Sequence, residues 1–173
     1  MSSTIETTFA EQDEDVNSEI VVRPPNLQDV EGLASLFSEM QRHYQRPVPY
    51  AQALAAARIA CQPPVAAFDP RVLLATLDGV VVGSIVMNVS FPAYELTQSL
   101  YIRDLYVAAS ARRAGVGRML VNAAARYTYA NGFSALDWTT DAENVGARAM
   151  YESCGARLLS RIYYRLARED MVA

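Results

Sequence analysis

Leu100-Tyr101-Ile102-Arg103-Asp104-Leu105-Tyr106-Val107, a short turn, and then Arg112-Arg113-Ala114-Gly115-Val116-Gly117-Arg118 form the stretch that decides the fold. The first eight residues are rich in β-branched and aromatic side chains, which predicts a strand. After the polar, small-residue loop 108–114, Val116, Met119, Leu120, Ala123, Ala124 and Tyr127 recur on one helical face. A helix start presents free N–H groups and the positive end of the macrodipole. Glycines at 115 and 117 let an anion approach the backbone, and Arg112, Arg113 and Arg118 crowd the same turn with cationic donors. The loop therefore reads as a site for a pyrophosphate or a similar polyanion. A dinucleotide loop would place a third glycine where Leu120 stands, and a Walker loop requires a lysine, which the chain lacks.

Working toward the N-terminus, Val72–Leu77, Asp78-Gly79 and Val80–Met87 read as a β-hairpin, because Asp-Gly supplies the positive φ angles of a tight turn. Before it, an Ala-rich helix spans about Tyr50 to Cys61 between proline breaks. An earlier helix carries Val30, Leu33, Phe37, Met40 and Tyr44 on one face, opened by Asn26 as N-cap with Asp29 three residues on. Glu19–Arg23 is a short strand ended by Pro24-Pro25. Toward the C-terminus, Asn131-Gly132 closes the long helix, Ser134–Thr139 predicts a strand, and Thr140 or Asp141 caps a helix reaching about Ser153 and ended by Gly155. Arg157–Leu166 predicts one or two terminal strands. This order predicts an α/β fold with a mixed sheet in three layers.

The 173 residues suit one domain, expected over 19–173. Residues 1–18 are acidic, rich in Ser and Thr and without apolar period, and are expected to be a disordered leader. Six of the 19 acidic residues fall within the first 19 positions, leaving 13 against 15 arginines, a body charge of +2. A body so nearly neutral does not read as a nucleic-acid binder. No apolar run approaches the ~20 residues that span a membrane, and no signal-peptide pattern opens the chain, so the expected location is the cytoplasm. His43 is the lone histidine, which excludes multi-histidine metal sites; no metal is expected, and Cys61 and Cys154 read as free thiols.

Asn144, Ala147 and Tyr151 share one face of the last helix. Together with Leu105-Tyr106-Val107, Arg112-x-x-Gly115-x-Gly117 and Tyr151-Glu152-x-x-Gly155-Ala156, they make the chain resemble the GNAT superfamily of N-acetyltransferases over about Ile20 to Leu166. The resemblance implies a three-layer α/β fold, a central mixed, mostly antiparallel sheet flanked by helices. It implies acetyl-CoA as acetyl-donor co-substrate. Leu105, Tyr106 and Val107 would hold the pantetheine arm, and Arg112, Arg113, Ala114, Gly115, Val116, Gly117 and Arg118 the pyrophosphate. Asn144 would belong to the second acetyl-CoA motif, and Tyr151 would be the general acid toward the departing thiolate. Phe91-Pro92-Ala93-Tyr94, Leu100–Val107 and Leu136-Asp137-Trp138 resemble the polyamine (spermidine/spermine) acetyltransferase-like branch, although Arg103 stands where that branch carries a glutamate.

The implied reaction is direct attack by a small-molecule primary amine on the thioester. Acetylation of a protein or peptide, and a non-catalytic acyl-CoA-binding role, stay open as alternatives. Asp104, Glu95 and Asp137 are candidate bases. Strand alternation sets Asp104 and Tyr106 opposite Arg103 and Leu105, and Arg103 is available to an acidic group on the substrate. Tyr44, Tyr50, Phe91, Tyr94 and Trp138 are candidate cleft residues. The resemblance also implies a homodimer, with the Arg157–Leu166 strand as a possible edge.

Overall fold

A computed structural model describes residues 19–171; the expected acidic leader 1–18 lies outside them. Five strands form one sheet in the order β1-β2-β3-β4-β5. They are β1 (Ile20–Arg23), β2 (Arg71–Leu77), β3 (Val80–Ser90), β4 (Ser99–Val107) and β5 (Leu136–Asp137). The first three pairings are antiparallel, and β4 pairs with β5 in parallel. Helices α1 (Val30–His43) and α2 (Tyr50–Ala60) precede the hairpin, α3 (Val116–Ala130) carries the chain from β4 to β5, and α4 (Val145–Ser153) follows. A parallel neighbour needs such a crossover, because the chain must return to the same end of the sheet.

Two apolar layers sandwich the sheet. Leu33, Leu36, Phe37, Ala53 and Ala57 of α1 and α2 pack with Val72, Leu74 and Tyr106 on one face. Val116, Leu120 and Ala124 of α3 pack with Leu73, Ile85, Met87, Leu100 and Ile102 on the other. Gly83 sets the second spacing: a Cβ there would lie 3.1 Å from both Leu120 Cδ1 and Val116 Cγ1. The three layers and the mostly antiparallel mixed sheet match the sequence expectation.

Local signals held in detail. Asn26 accepts from the Gln28 N–H (2.8 Å), and Asp29 accepts from the Asn26 N–H (2.7 Å), a reciprocal cap around a 3₁₀ turn at Leu27–Asp29 that leads into α1. Asp29 also receives both terminal nitrogens of Arg23 at 2.8 Å, which ties β1 to α1 and holds the carboxyl below its usual pKa. Asp78 and Gly79 turn the hairpin with φ of 50° and 81°. Gly132 and Gly155, with φ of 73° and 89°, follow α3 and α4.

Three expectations differ. The strand expected over Ser134–Thr139 shrinks to Leu136–Asp137, because only Leu100 and Tyr101 of β4 pair with it. Arg157–Leu166 forms no strand: a strand exists where a neighbour accepts its ladder, and two-residue β5 offers little edge. Asn144, not Thr140 or Asp141, caps α4, its side chain accepting from the Ala147 N–H at 3.3 Å.

The alternation expected along β4 is also interrupted. Ile102 pairs with Met87 and Asp104 with Val86, so Arg103 is an extra residue, a β-bulge. Leu100 and Ile102 before it, and Leu105 and Val107 after it, all pack into the α3 layer. Asp104 and Tyr106 take the opposite face as expected, while Arg103 stands outside the alternation and is exposed.

Leu120 is fully buried where α3 meets Gly83. Leu120→Ala should cost about 2–5 kcal/mol of stability in chemical denaturation. A loss below about 1 kcal/mol would contradict the packing described for this layer.

Candidate active site

The site begins where β4 loses a neighbour. β3 accompanies β4 from Ser99 to Val107, but β5 pairs only at Leu100 and Tyr101. Beyond Tyr101 no strand lies on that edge among the described residues. The Tyr101 hydroxyl, 2.8 Å from Thr139 Oγ1, ties β4 to the segment that follows β5 where the two part. On the edge away from β3, backbone groups along Leu105–Val107 therefore face a gap rather than a ladder, and such groups seek a partner, as the Val107 carbonyl does in the Arg112 side chain.

The gap widens into a cleft of about 610 Å³ lined by Tyr44, Asp104, Leu105, Trp138, Asn144 and Tyr151, among others. The Trp138 and Tyr151 rings meet edge to face, with centroids 5.1 Å apart. Burial, helped by Tyr44 and Asp104, raises the Tyr151 phenol above its ordinary pKa, so it keeps its proton at neutral pH. Asp104 Oδ2 is buried and has no hydrogen-bond partner among the described residues. Burial pushes this carboxyl up to about 6, the Arg103 charge pulling weakly the other way. A buried carboxylate without a partner is costly unless something else occupies the cleft beside it.

At the far end of β4 the chain enters the arginine–glycine loop. Arg113 and Gly115 have φ of 70° and 81°, and Gly115 serves as N-cap of α3 with no side-chain cap bond. The first-turn N–H groups of α3 are therefore left to water or a ligand. Arg113, Ala114 and Arg118 are exposed, and the Val116 side chain is buried in the core, anchoring the turn. Arg112 lies over the Tyr106 ring, 5.6 Å from its centroid, and its Nε donates to the Val107 carbonyl at 3.2 Å.

These observations sort the expected residues. The cleft brings Leu105, Asn144 and Tyr151 together, and the loop with the α3 start gathers positions 112–118. The Asn144 side chain doubles as a helix cap. Tyr106 and Val107 join the two regions; the Tyr106 ring turns into the α1 layer, and its phenol is raised chiefly by burial. Of the candidate aromatics, Tyr44 and Trp138 line the cleft, whereas Tyr50 donates to Glu31 (2.8 Å) and Phe91 is exposed. The Tyr94 side chain lies outside what is described. Sequence reasoning missed Tyr163 and Arg165, which reach the cleft from the segment expected to be a strand. It also missed Glu39, which accepts from the Tyr106 hydroxyl and the Ala109 N–H. None of the three had a motif to mark it.

The sequence model of the acetyltransferase (GNAT) family matches residues 33–156. The chain belongs to this family. Its matched span holds the parted strand, the loop and α4. The L-ornithine N5-acetyltransferase NATA1 of Arabidopsis thaliana is 31% identical over 91 residues, covering 53% of this chain and 39% of that protein. This chain thus matches well under half the length of that relative. The uncharacterized N-acetyltransferase YhfO of Bacillus subtilis is 27% identical over 134 residues, covering 78% of this chain and 87% of that one. Among solved structures, the aminoglycoside N-acetyltransferase AAC(6')-Iy in complex with CoA superposes with a TM-score of 0.70 at 19% identity, covering 87% of this chain and 96% of that one. That likeness is one of fold.

The two loop glycines should respond differently to substitution. A Cβ at Gly117 would meet only Met150 Cε at 3.6 Å and Val107 Cγ2 at 3.9 Å, ordinary contact. Gly117→Ala should therefore hold or raise stability, by up to about 1 kcal/mol, because alanine suits a helix better. Gly115→Ala should lose about 1 kcal/mol, because a side chain strains the left-handed backbone. Equal losses at both positions in urea unfolding would contradict this local geometry.

Proposed function

We propose that this chain transfers an acetyl group from acetyl-CoA to the primary amine of a small molecule by direct attack, with Tyr151 as general acid. The observation that carries the reading is a single cleft collecting Leu105 of the parted edge, Asp104, whose Oδ2 has no hydrogen-bond partner among the described residues, and the protonated Tyr151. The pantetheine arm fits the unladdered Leu105–Val107 edge. The pyrophosphate fits the uncapped α3 start, with Arg112, Arg113 and Arg118 about it. The space left at Gly117 supports close approach by a ligand rather than a packing demand. Family membership and the CoA held by the similarly folded AAC(6')-Iy support the donor.

The acceptor arrives as an ammonium ion and must lose a proton before it can attack. Asp104 takes that proton, directly or through one water. The freed nitrogen bonds to the thioester carbon, and negative charge gathers on the carbonyl oxygen. A backbone N–H near Val107 stabilises this oxygen. The C–S bond then breaks, Tyr151 gives its proton to the leaving sulfur, and the surplus proton on the new amide nitrogen passes to the Tyr151 phenolate, directly or through water, which restores the phenol. The products are the acetylated amine and free CoA thiol. Buried Asp104 has a suitable environment for the base because its pKa lies near working pH.

Arg103 bears on the acceptor. The bulge leaves it exposed at the cleft wall, where Arg165 also lies. Two cations there suit an amine that also carries an acidic group better than a polyamine. The ornithine acetyltransferase among the relatives is consistent with an amino-acid-like acceptor.

Tyr151→Phe should lower kcat by about 10²-fold while moving KM for acetyl-CoA less than twofold, read by thiol release. An unchanged kcat would remove Tyr151 from the acid role. The Asp104 role gives the pH dependence its sign. The base works ionised, so kcat/KM for the amine should rise with pH through about 6 and level above it. Asp104→Asn should lower the rate and abolish that limb. Persistence of the limb in the variant would assign it to another group.

A further inference from the structure

We infer that Glu39 of α1 is a positioning residue for acetyl-CoA, setting the direction of Arg112 and the entry of the pyrophosphate loop through Tyr106. This inference rests on the acetyl-CoA reading above. Glu39 lies on the helix layer opposite α3, yet its carboxylate reaches the end of β4. Its Oε1 accepts from the Tyr106 hydroxyl at 3.0 Å and from the Ala109 N–H at 2.8 Å. The Tyr106 hydroxyl in turn accepts from Arg112 Nη2 at 3.5 Å, and the Tyr106 ring lies beneath the guanidinium. Arg112 Nε closes the circuit on the Val107 carbonyl.

The chain of bonds thus runs from Arg112 through the Tyr106 hydroxyl to Glu39, and from Glu39 back to the loop backbone. Each link limits one freedom. The Ala109 bond fixes where the loop leaves β4. The hydroxyl bond fixes the tyrosine against which the guanidinium rests. An arginine side chain has several rotatable bonds, and holding it in place before the ligand arrives spares binding that ordering cost. Charge-assisted bonds of this kind are stronger than neutral ones. Because an amide oxygen can accept the same two bonds, Glu39→Gln preserves the geometry and Glu39→Ala removes it.

The role predicts a split between donor binding and chemistry. CoA affinity is measured by calorimetry and steady-state constants by thiol release, for wild type, Glu39→Ala, Glu39→Gln and Tyr106→Phe. Glu39→Ala should weaken CoA binding and raise KM for acetyl-CoA about tenfold, with kcat at saturating donor within threefold of wild type. Glu39→Gln should stay within threefold of wild type in both. Tyr106→Phe keeps the ring but breaks the relay, and should weaken CoA about threefold even if Glu39→Ala does not fold. Added to Glu39→Ala, it should cost nothing more.

Wild-type affinity in both Glu39→Ala and Tyr106→Phe would overturn the inference. So would a Glu39→Ala loss confined to kcat, or a Glu39→Gln as impaired as Glu39→Ala. Failure of the wild type itself to bind CoA would overturn the donor reading, and this inference with it.

Discussion

A strand inside a sheet must satisfy its backbone on both edges, and β4 does so on only one. β3 serves it from Ser99 to Val107, while β5 serves it at two residues and then turns away. The cleft, the face that Asp104 presents to it and the loop at the end of β4 all follow from that parting. α3 enforces it from one side: packed on Gly83 through Val116 and Leu120, it carries the chain across the sheet to β5. α4 lies beyond the gap and brings Asn144 and Tyr151 to its wall. Gap and walls are thus products of the same chain path.

Within that frame, two ionisable groups are driven in one chemical direction by one cause. Burial favours the neutral form of both Asp104 and Tyr151. For the phenol this means a proton retained. For the carboxyl it means a proton held until about pH 6 and released above it. At neutral pH the cleft therefore holds one group ready to receive a proton and one ready to give one. The opposite end of β4 relies on charge rather than burial, with three arginines around an uncapped helix start. Tyr106 belongs to both ends: its backbone runs along the free edge, and its ring supports Arg112.

Local chemistry was legible in the sequence wherever a residue's own backbone preference or period was enough. Asp78-Gly79 announced the hairpin, Asn26 with Asp29 the entry to α1, and Gly115 the start of α3. The loop and the Asn144–Tyr151 face were readable because short spacings fix them. What failed depended on distant neighbours. Ser134–Thr139 has strand composition, but its length is set by where β4 stops accepting bonds. Arg157–Leu166 has strand composition too, and finds no strand to pair with among the described residues. Glu39 lies 67 residues from Tyr106 in the chain, and no local pattern connects them. The Arg103 bulge left no mark in composition, so simple alternation ran one residue too far.

That bulge has a consequence for how the chain finds its register. Without it, Arg103 would pair with Val86 and Asp104 with Ile85, on the face covered by α3. The carboxyl would then lie in an apolar layer beside fully buried Leu100 and Leu120, where an ion finds neither water nor counter-charge. A regular strand is thus the costlier arrangement, and one acidic side chain penalises every slip that would iron out the irregularity. The carboxyl that faces the cleft also acts as a proofreader of strand pairing, rejecting the misaligned sheet before any substrate is met.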